Sequence, residues 1–200
     1  MIVVCAALKG GVGKTTTAVY LAALAAASDR RGVTLVDADA QASAAEWVEN
    51  APDERLQRLG VAEAPTARLL TKALEKVAAD DVAIVDTPPG NERLLGTALE
   101  RSSAVVIPTR VGGIEPARAS AVLEMVPHGV PAGLVVCSAR TFTRDYQDTV
   151  TDWGEEGVRV WGTVPERVAI AAGPDRWLAF DGIEAYRGVW RRVQRAAARP

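Results

Sequence analysis

Residues 2–17 read Ile2-Val3-Val4-Cys5-Ala6-Ala7-Leu8-Lys9-Gly10-Gly11-Val12-Gly13-Lys14-Thr15-Thr16-Thr17. The run opens β-branched and apolar, turns through three glycines and continues into an alanine-rich stretch ending near Ser28. Strand, glycine loop and helix in that order make a phosphate cradle. Glycines let successive backbone N–H groups turn inward around anionic oxygens, and the helix N-terminus adds its partial positive charge. Lys14 is placed to reach the β- and γ-phosphates of a nucleotide, and the Thr15 hydroxyl to bind Mg²⁺. Gly10, Gly11, Val12, Gly13 and Thr16 complete the loop around the phosphates. The usual spacing of this motif has a glycine where Leu8 stands. A second lysine, Lys9, opens the loop instead, at a point from which it does not easily turn into its own cradle.

The strands and helices around the loop fit one α/β domain over residues 1–200. Val33–Val36 reads as a second strand ending at Asp37, Val82–Val85 as a third ending at Asp86, and Ala104–Ile107 and Gly133–Cys137 as further buried strands. Short strands are expected at Leu59–Val61, on an edge, and at Arg159–Trp161. Helices are expected over 14–28, 42–48, 67–79, 94–100, 116–125, 145–153 and 183–197. Alternation of continuous apolar strands with helices implies a doubly wound, mostly parallel sheet with helices on both faces. Ligands of such folds sit at the carboxyl ends of the strands, and the loop, Asp37, Asp39 and Asp86 all follow strands.

Composition narrows the chemistry. Hydrophobic residues make up 48% of the chain and aromatics 5%, so the core is built mainly from Ala, Val, Leu and Ile. The net charge of −2 excludes a polycation, and any nucleic-acid contact must come from a local patch. The two cysteines, Cys5 and Cys137, lie in apolar runs and read as buried small hydrophobes rather than a disulfide or metal pair. The one histidine, His128, falls in a Pro-His-Gly loop, which leaves no basis for a zinc or iron–sulfur site. The first strand begins at once, leaving no room for a signal peptide, and no apolar run approaches the roughly 20 residues of a membrane span. The expected compartment is the cytoplasm.

Asp86 ends an apolar strand in the same sheet as the phosphate loop, so it is expected to hold Mg²⁺ opposite Thr15, usually through a water. Thr87-Pro88-Pro89-Gly90 follows as a switch segment stiffened by two prolines. Asp37 and Asp39, one residue apart, share a side if the chain is still extended. Asp39 is assigned to the attacking water and Asp37 to supporting Mg²⁺ or Lys14. The competing reading makes one of the two the cap of the following helix.

With these motifs in view, the chain resembles the ParA/MinD family of P-loop ATPases, which carry a deviant Walker A loop. Lys9-Gly10-Gly11-Val12-Gly13-Lys14-Thr15-Thr16 is similar to that family's signature, Asp37-Ala38-Asp39-Ala40-Gln41 to its Asp-x-Asp-Pro-Gln switch with Ala40 for proline, and Ile84–Pro89 to its third motif. Gly162-Thr163-Val164-Pro165-Glu166-Arg167 resembles the segment whose proline region contacts adenine. The resemblance implies adenine contacts from Ser138, Arg140, Val164 and Pro165, although Ser138 stands where an asparagine is often found. It implies ATP as substrate with Mg²⁺, and Lys9 crossing to the phosphates of a second subunit in an ATP-dependent homodimer. The absence of an N-terminal helix-turn-helix and the run Gln41–Trp47 point to the short plasmid-type ParA proteins. Members of that subgroup bind DNA without sequence preference on the nucleoid and are stimulated by a centromere-binding, ParB-like partner.

The last 18 residues hold Arg187, Arg191, Arg192, Arg195 and Arg199 against the single acid Glu184, a local charge of +4. Arg187, Arg191 and Arg195 share a helix face, opposite an apolar stripe of Ile183, Tyr186, Trp190, Val193 and Ala197. Three readings stay open: a packed helix with a solvated basic face, a surface for DNA phosphates, and a MinD-like membrane helix, disfavoured by the short stripe. An ATP-dependent biosynthetic enzyme on the same scaffold is the alternative to a partition ATPase, and Lys9 argues against much of that class.

Overall fold

The computed structural model describes residues 1–28, 32–170 and 176–198. Its strands are β1 (Ile2–Cys5), β2 (Val33–Asp37), β3 (Gly60–Glu63), β4 (Val82–Asp86), β5 (Ala104–Thr109), β6 (Ala132–Ala139) and β7 (Val160–Pro165). Its helices are α1 (Lys14–Ser28), α2 (Ser43–Asn50), α3 (Ala67–Glu75), α4 (Glu92–Leu99), α5 (Glu115–Met125), α6 (Arg144–Glu155) and α7 (Phe180–Ala197). The strands form one sheet in the order β3-β2-β4-β1-β5-β6-β7. Every pairing is parallel, so the expected mostly parallel sheet is wholly so.

Strand periodicity of two divides the core. Val3, Cys5, Leu35, Ile84, Val106 and Val135 face α1, α2 and α7, whereas Val4, Val36, Val85, Val105 and Val136 face α3, α4, α5 and α6. Both faces are therefore covered, and the strands read as continuous apolar runs. Three helices, α3, α4 and α6, start where short polar side chains accept orphan N–H groups: Thr66 from Leu69, Asn91 from Leu94 and Thr143 from Tyr146.

Two of the elements that run longer than expected do so through a glycine, for reasons of packing. The terminal helix starts at Phe180 rather than Ile183 and runs through Gly182, which its sequence marks as a weak helix former. A Cβ on Gly182 would lie 2.5 Å from the Tyr20 ring, so the glycine admits that ring between α1 and α7. Tyr20 then stacks on Tyr186 with centroids 5.0 Å apart, a pair worth about 0.5–1.5 kcal/mol beyond its area. Likewise β7 continues through Gly162, where a Cβ would strike Val189 of α7.

The register brings the site together. Cys5, Asp86 and Asp37 end neighbouring strands as paired residues. The loop after β1 and both acids thus share the carboxyl edge of the sheet.

Candidate nucleotide site

A cleft of about 300 Å³ opens at this edge, lined by Gly10, Gly11, Gly13, Lys14, Thr15 and Thr16 from the loop. Asp39, Thr87 and Pro89 close one side. Ser138, Val164, Pro165, Arg167 and Ile170 line the far end. Two glycines have steric reasons to be there. Gly11 (φ 77°) and Gly13 (φ 100°) hold the left-handed backbone that L side chains resist. A Cβ on Gly13 would also come within 3.1 Å of Cys137 Sγ, which floors the loop.

Lys14 lies at the bottom of the cleft, and its ammonium donates to the carbonyl of Lys9 at 2.9 Å. Burial pulls it below the ordinary lysine value, with Asp86 and Asp39 opposing. A phosphate arriving here would supply the negative charge the ammonium lacks.

Thr15 Oγ1 donates to Asp86 Oδ2 at 2.7 Å. Asp86 is buried, and its other oxygen, Oδ1, has no hydrogen-bond partner. Burial, helped by neighbouring Asp37, pushes its carboxyl up to about 7 against the opposing Thr15 hydrogen bond and Lys14 charge. A cation is what such a pair lacks. The donors are a hydroxyl and an under-coordinated carboxylate, hard oxygens that suit Mg²⁺. Among the described residues no group of three or more His, Cys, Asp or Glu converges as a metal cage, so nucleotide oxygens and water must complete the shell. The residues fit Mg²⁺ held at Thr15 and Asp86, where it would neutralise phosphate charge.

Asp37 does something else. Its Oδ2 accepts from the N–H groups of Ala44 and Ala45, its Oδ1 from that of Asp39, and the side chain is fully buried. The expected metal role is corrected: Oδ2 is spent capping α2 from the end of β2, and Oδ1 is spent on the turn that leads to it. Ala42, in front of that helix, is held left-handed at φ 52° and offers no side-chain cap, which is why a remote carboxylate is recruited. Asp39 lines the cleft, with Oδ1 accepting from the Gln41 N–H at 3.0 Å.

Lys9 and Val12 do not line the cleft. Val12 is buried with its side chain turned to the opposite side of the loop, where it bounds a small void, so it offers the cleft only backbone. Lys9 is exposed and pairs with Glu115 at 3.0 Å. At the base end Ser138 (φ 50°), Val164 and Pro165 are in place. Arg140 is not: it is exposed and paired to Glu166, because the register shift between Val136 and Ala139 re-aims the chain leaving β6.

Sequence reasoning missed Arg110, Arg167, Cys137 and Tyr186 as cleft residues. Arg110 directly follows β5, the neighbour of the loop strand, and its position at a strand's carboxyl end was the available signal. Tyr186 looked like one more member of the α7 stripe. In fact its hydroxyl hydrogen-bonds Thr17 Oγ1 at 2.9 Å beneath the loop.

The rest of the terminal stripe packs as expected, with Val189 added. Of the basic face, Arg187 pairs with Glu184, and Arg191 and Arg195 are exposed. Arg192 is exposed as well, and its guanidinium donates to the Trp161 carbonyl, linking α7 to β7. Arg199 lies outside the described residues. Among the described residues no helix is long and apolar enough to cross a membrane.

A nucleotide-binding α/β ATPase scaffold with a two-lysine phosphate loop is the class these features define. The chain belongs to the CobQ/CobB/MinD/ParA nucleotide binding domain family, which matches it over residues 3–178. Over 104 residues, half of its length, it is 43% identical to maintenance of carboxysome distribution protein A of Gloeobacter kilaueensis. That stretch is 45% of the relative, so the chain spans about half the length of the curated relatives it matches. It is similar in fold to a putative plasmid partition protein of Borrelia burgdorferi bound to AMPPNP, with TM-score 0.77, 21% identity, and 97% of this chain and 98% of that one covered. It is likewise similar to the septum site-determining protein MinD of Pyrococcus horikoshii complexed with Mg-ADP, with TM-score 0.75, 16% identity and coverage of 98% and 97%. At these identities the likeness concerns the fold.

Proposed function

We propose that this chain is a ParA-like partition ATPase, working over residues 1–200 as one unit in the cytoplasm on the nucleoid. It binds ATP with Mg²⁺, forms a homodimer around the bound nucleotides and, as a dimer, binds DNA without sequence preference. A centromere-binding, ParB-like partner stimulates hydrolysis and resets it, distributing a plasmid, chromosome or comparable cargo. The observation that supports this reading best is Lys9. Its ammonium is exposed and outside the cleft that Lys14 already serves, and on this reading it answers the phosphates of a facing protomer. Two triphosphates brought face to face repel, and one lysine from each side removes that penalty.

In the cleft, Lys14 and the loop N–H groups hold the phosphates, and Asp39 orients the attacking water. A carboxylate needs only to position that water, because phosphoryl transfer is loose.

The test measures binding to random-sequence duplex DNA with Mg²⁺-ATP, Mg²⁺-ADP and no nucleotide across a salt series, with Lys14→Ala as the control that loses nucleotide. ATP-specific, salt-sensitive binding supports the reading. ATP binding without DNA binding in any state overturns it and directs the search to liposomes, for a MinD-like regulator, or to small substrates, for a biosynthetic enzyme.

A further inference from the structure

Arg110 stands at the cleft with nothing to hold. It follows β5, and the β5–β6 register, which pairs Thr109 with Val136, sets it level with Cys137 under the phosphate loop. Strand parity carried on from Val106 puts it on the α1 face, the same face from which Cys137, Ile170 and Tyr186 line the cleft. The residue is exposed and lines the cleft itself. Its charge reaches across the mouth. It opposes the burial that raises the Cys137 thiol, and it adds to the Arg140 hydrogen bond that lowers the Glu166 carboxyl. Yet among the described residues its guanidinium makes no hydrogen bond or ion pair. The other cations of the cleft are engaged: Lys14 with the Lys9 carbonyl, and Arg167 with Asp181 and the Glu166 carbonyl. Glu166, the nearby acid, is paired to Arg140, so Arg110 is left for a ligand.

The strand order says which part of a ligand it meets. Along the sheet, the cleft draws on Asp39 after β2, Thr87 after β4, the phosphate loop after β1, Arg110 after β5, Ser138 on β6 and Pro165 on β7. Thr15 and Asp86, which suit Mg²⁺, mark the end of the terminal phosphates at β1 and β4. The base end lies at β6 and β7. With strands about 5 Å apart, β5 falls between the two ends. We propose that Arg110 grips the phosphate nearest the sugar in a bound nucleotide. This rests on the reading that the cleft takes ATP and ADP. A guanidinium suits the role, since its fork meets two phosphate oxygens at once. That phosphate is common to ATP and ADP, so Arg110 tightens both alike and tells neither them nor their bases apart. It also holds ADP in place after hydrolysis, and discrimination is left to the residues at the β1–β4 end.

The experiment titrates wild type, Arg110→Gln and Arg110→Lys with adenosine, AMP, ADP and a non-hydrolysable ATP analogue, with Mg²⁺, at low and high salt. Competition against a fluorescent ADP analogue reads the weaker ligands. Arg110→Gln should weaken AMP, ADP and the ATP analogue by a similar factor, roughly three- to thirtyfold, between the worth of an exposed ion pair and that of a charge-assisted hydrogen bond. Adenosine should be unaffected. Arg110→Lys should recover part of the loss, and the loss should narrow in high salt. Equal affinities in all variants overturn the proposal. A loss confined to the ATP analogue overturns it too, and moves Arg110 to the last phosphate or to a facing protomer's nucleotide. A loss for ADP and the analogue but not AMP moves it to the middle phosphate, and a loss that extends to adenosine moves it to the sugar or base. If wild type binds none of the nucleotides, the reading of the cleft falls and the proposal falls with it.

Discussion

Thr15 Oγ1 and Asp86 Oδ2 are 2.7 Å apart, joining the first turn of α1 to the last residue of β4 and leaving Asp86 Oδ1 buried without a partner. Burial raises the Asp86 carboxyl to about 7. Without metal the folded protein thus binds a proton that the unfolded chain gives up near the ordinary value of roughly 4. Stability of the metal-free protein should fall as pH rises from about 4 to about 7 and level off above. Asp86→Asn removes that charge and should melt higher than wild type at pH 8 in chelator, yet lose Mg²⁺-dependent nucleotide affinity. Thermal melts and nucleotide titrations with and without Mg²⁺ check both halves. A variant that melts lower and keeps its Mg²⁺ response would mean Asp86 serves the fold and not a cation.

Asp39 lines the cleft, and its contact to Gln41 N–H leaves Oδ2 available. Asp39→Ala should bind ATP normally and accumulate as ATP-bound dimer, with turnover reduced on the order of a hundredfold or more, the range for loss of one positioned general base. Single-turnover hydrolysis and dimer lifetime are the readouts. Normal turnover would move the water-orienting role to another residue.

The adjacent acid shows where sequence stops informing. A pair of carboxylates after a strand is legible, and so is the competition between metal and cap, but which acid does which depends on how the chain leaves the sheet. Ala42 adopts a left-handed turn without a side chain able to cap α2, and only that geometry commits Asp37 to the helix. The phosphate loop was legible because glycine positions, lysine and threonine are fixed by local sterics. The order of strands and helices was legible from apolar periodicity. The base end was less so: a register shift after Val136 carries Arg140 outward to Glu166, while Arg167 and Ile170 line the cleft. The expected strand stopped before Gly162 and the expected helix began after Gly182, because the sequence does not show that Val189 and Tyr20 occupy the space a Cβ would fill there.

Asp53 offers a separate test of what holds the α1 face together. Its carboxylate is fully buried and accepts from the backbone and guanidinium of Arg55 and from the Leu178 N–H, tying the segment after α2 to the approach to α7. Burial opposes its ionisation, but these hydrogen bonds prevail and hold its carboxyl below the ordinary value. Its stabilisation is therefore present above roughly pH 4 and lost as pH falls through the depressed value. Asp53→Asn should cost about 1–3 kcal/mol at pH 7 and flatten the acid limb of the stability curve. Urea unfolding from pH 3 to 7 measures this, and a variant curve parallel to wild type would assign the acid limb to other carboxylates.

The basic face of α7 divides by what each arginine already does. All four arginines are exposed, but Arg192 donates to the Trp161 carbonyl and Arg187 is paired to Glu184, whereas Arg191 and Arg195, one turn apart, project from a helix whose other side is packed against α1 and β7. Arg191→Ala with Arg195→Ala should therefore leave the fold intact and weaken ATP-dependent DNA binding, lowering the salt slope by roughly one for each phosphate no longer neutralised. Arg192→Ala should instead cost about 0.5–1.5 kcal/mol of stability by freeing a carbonyl of β7, with little change in slope. Binding isotherms at several salt concentrations, set beside melts of the same variants, separate the two effects. An unchanged slope in the double variant would place the DNA surface elsewhere on the dimer, and the exposed arginines would then be only the solvated side of a packed helix.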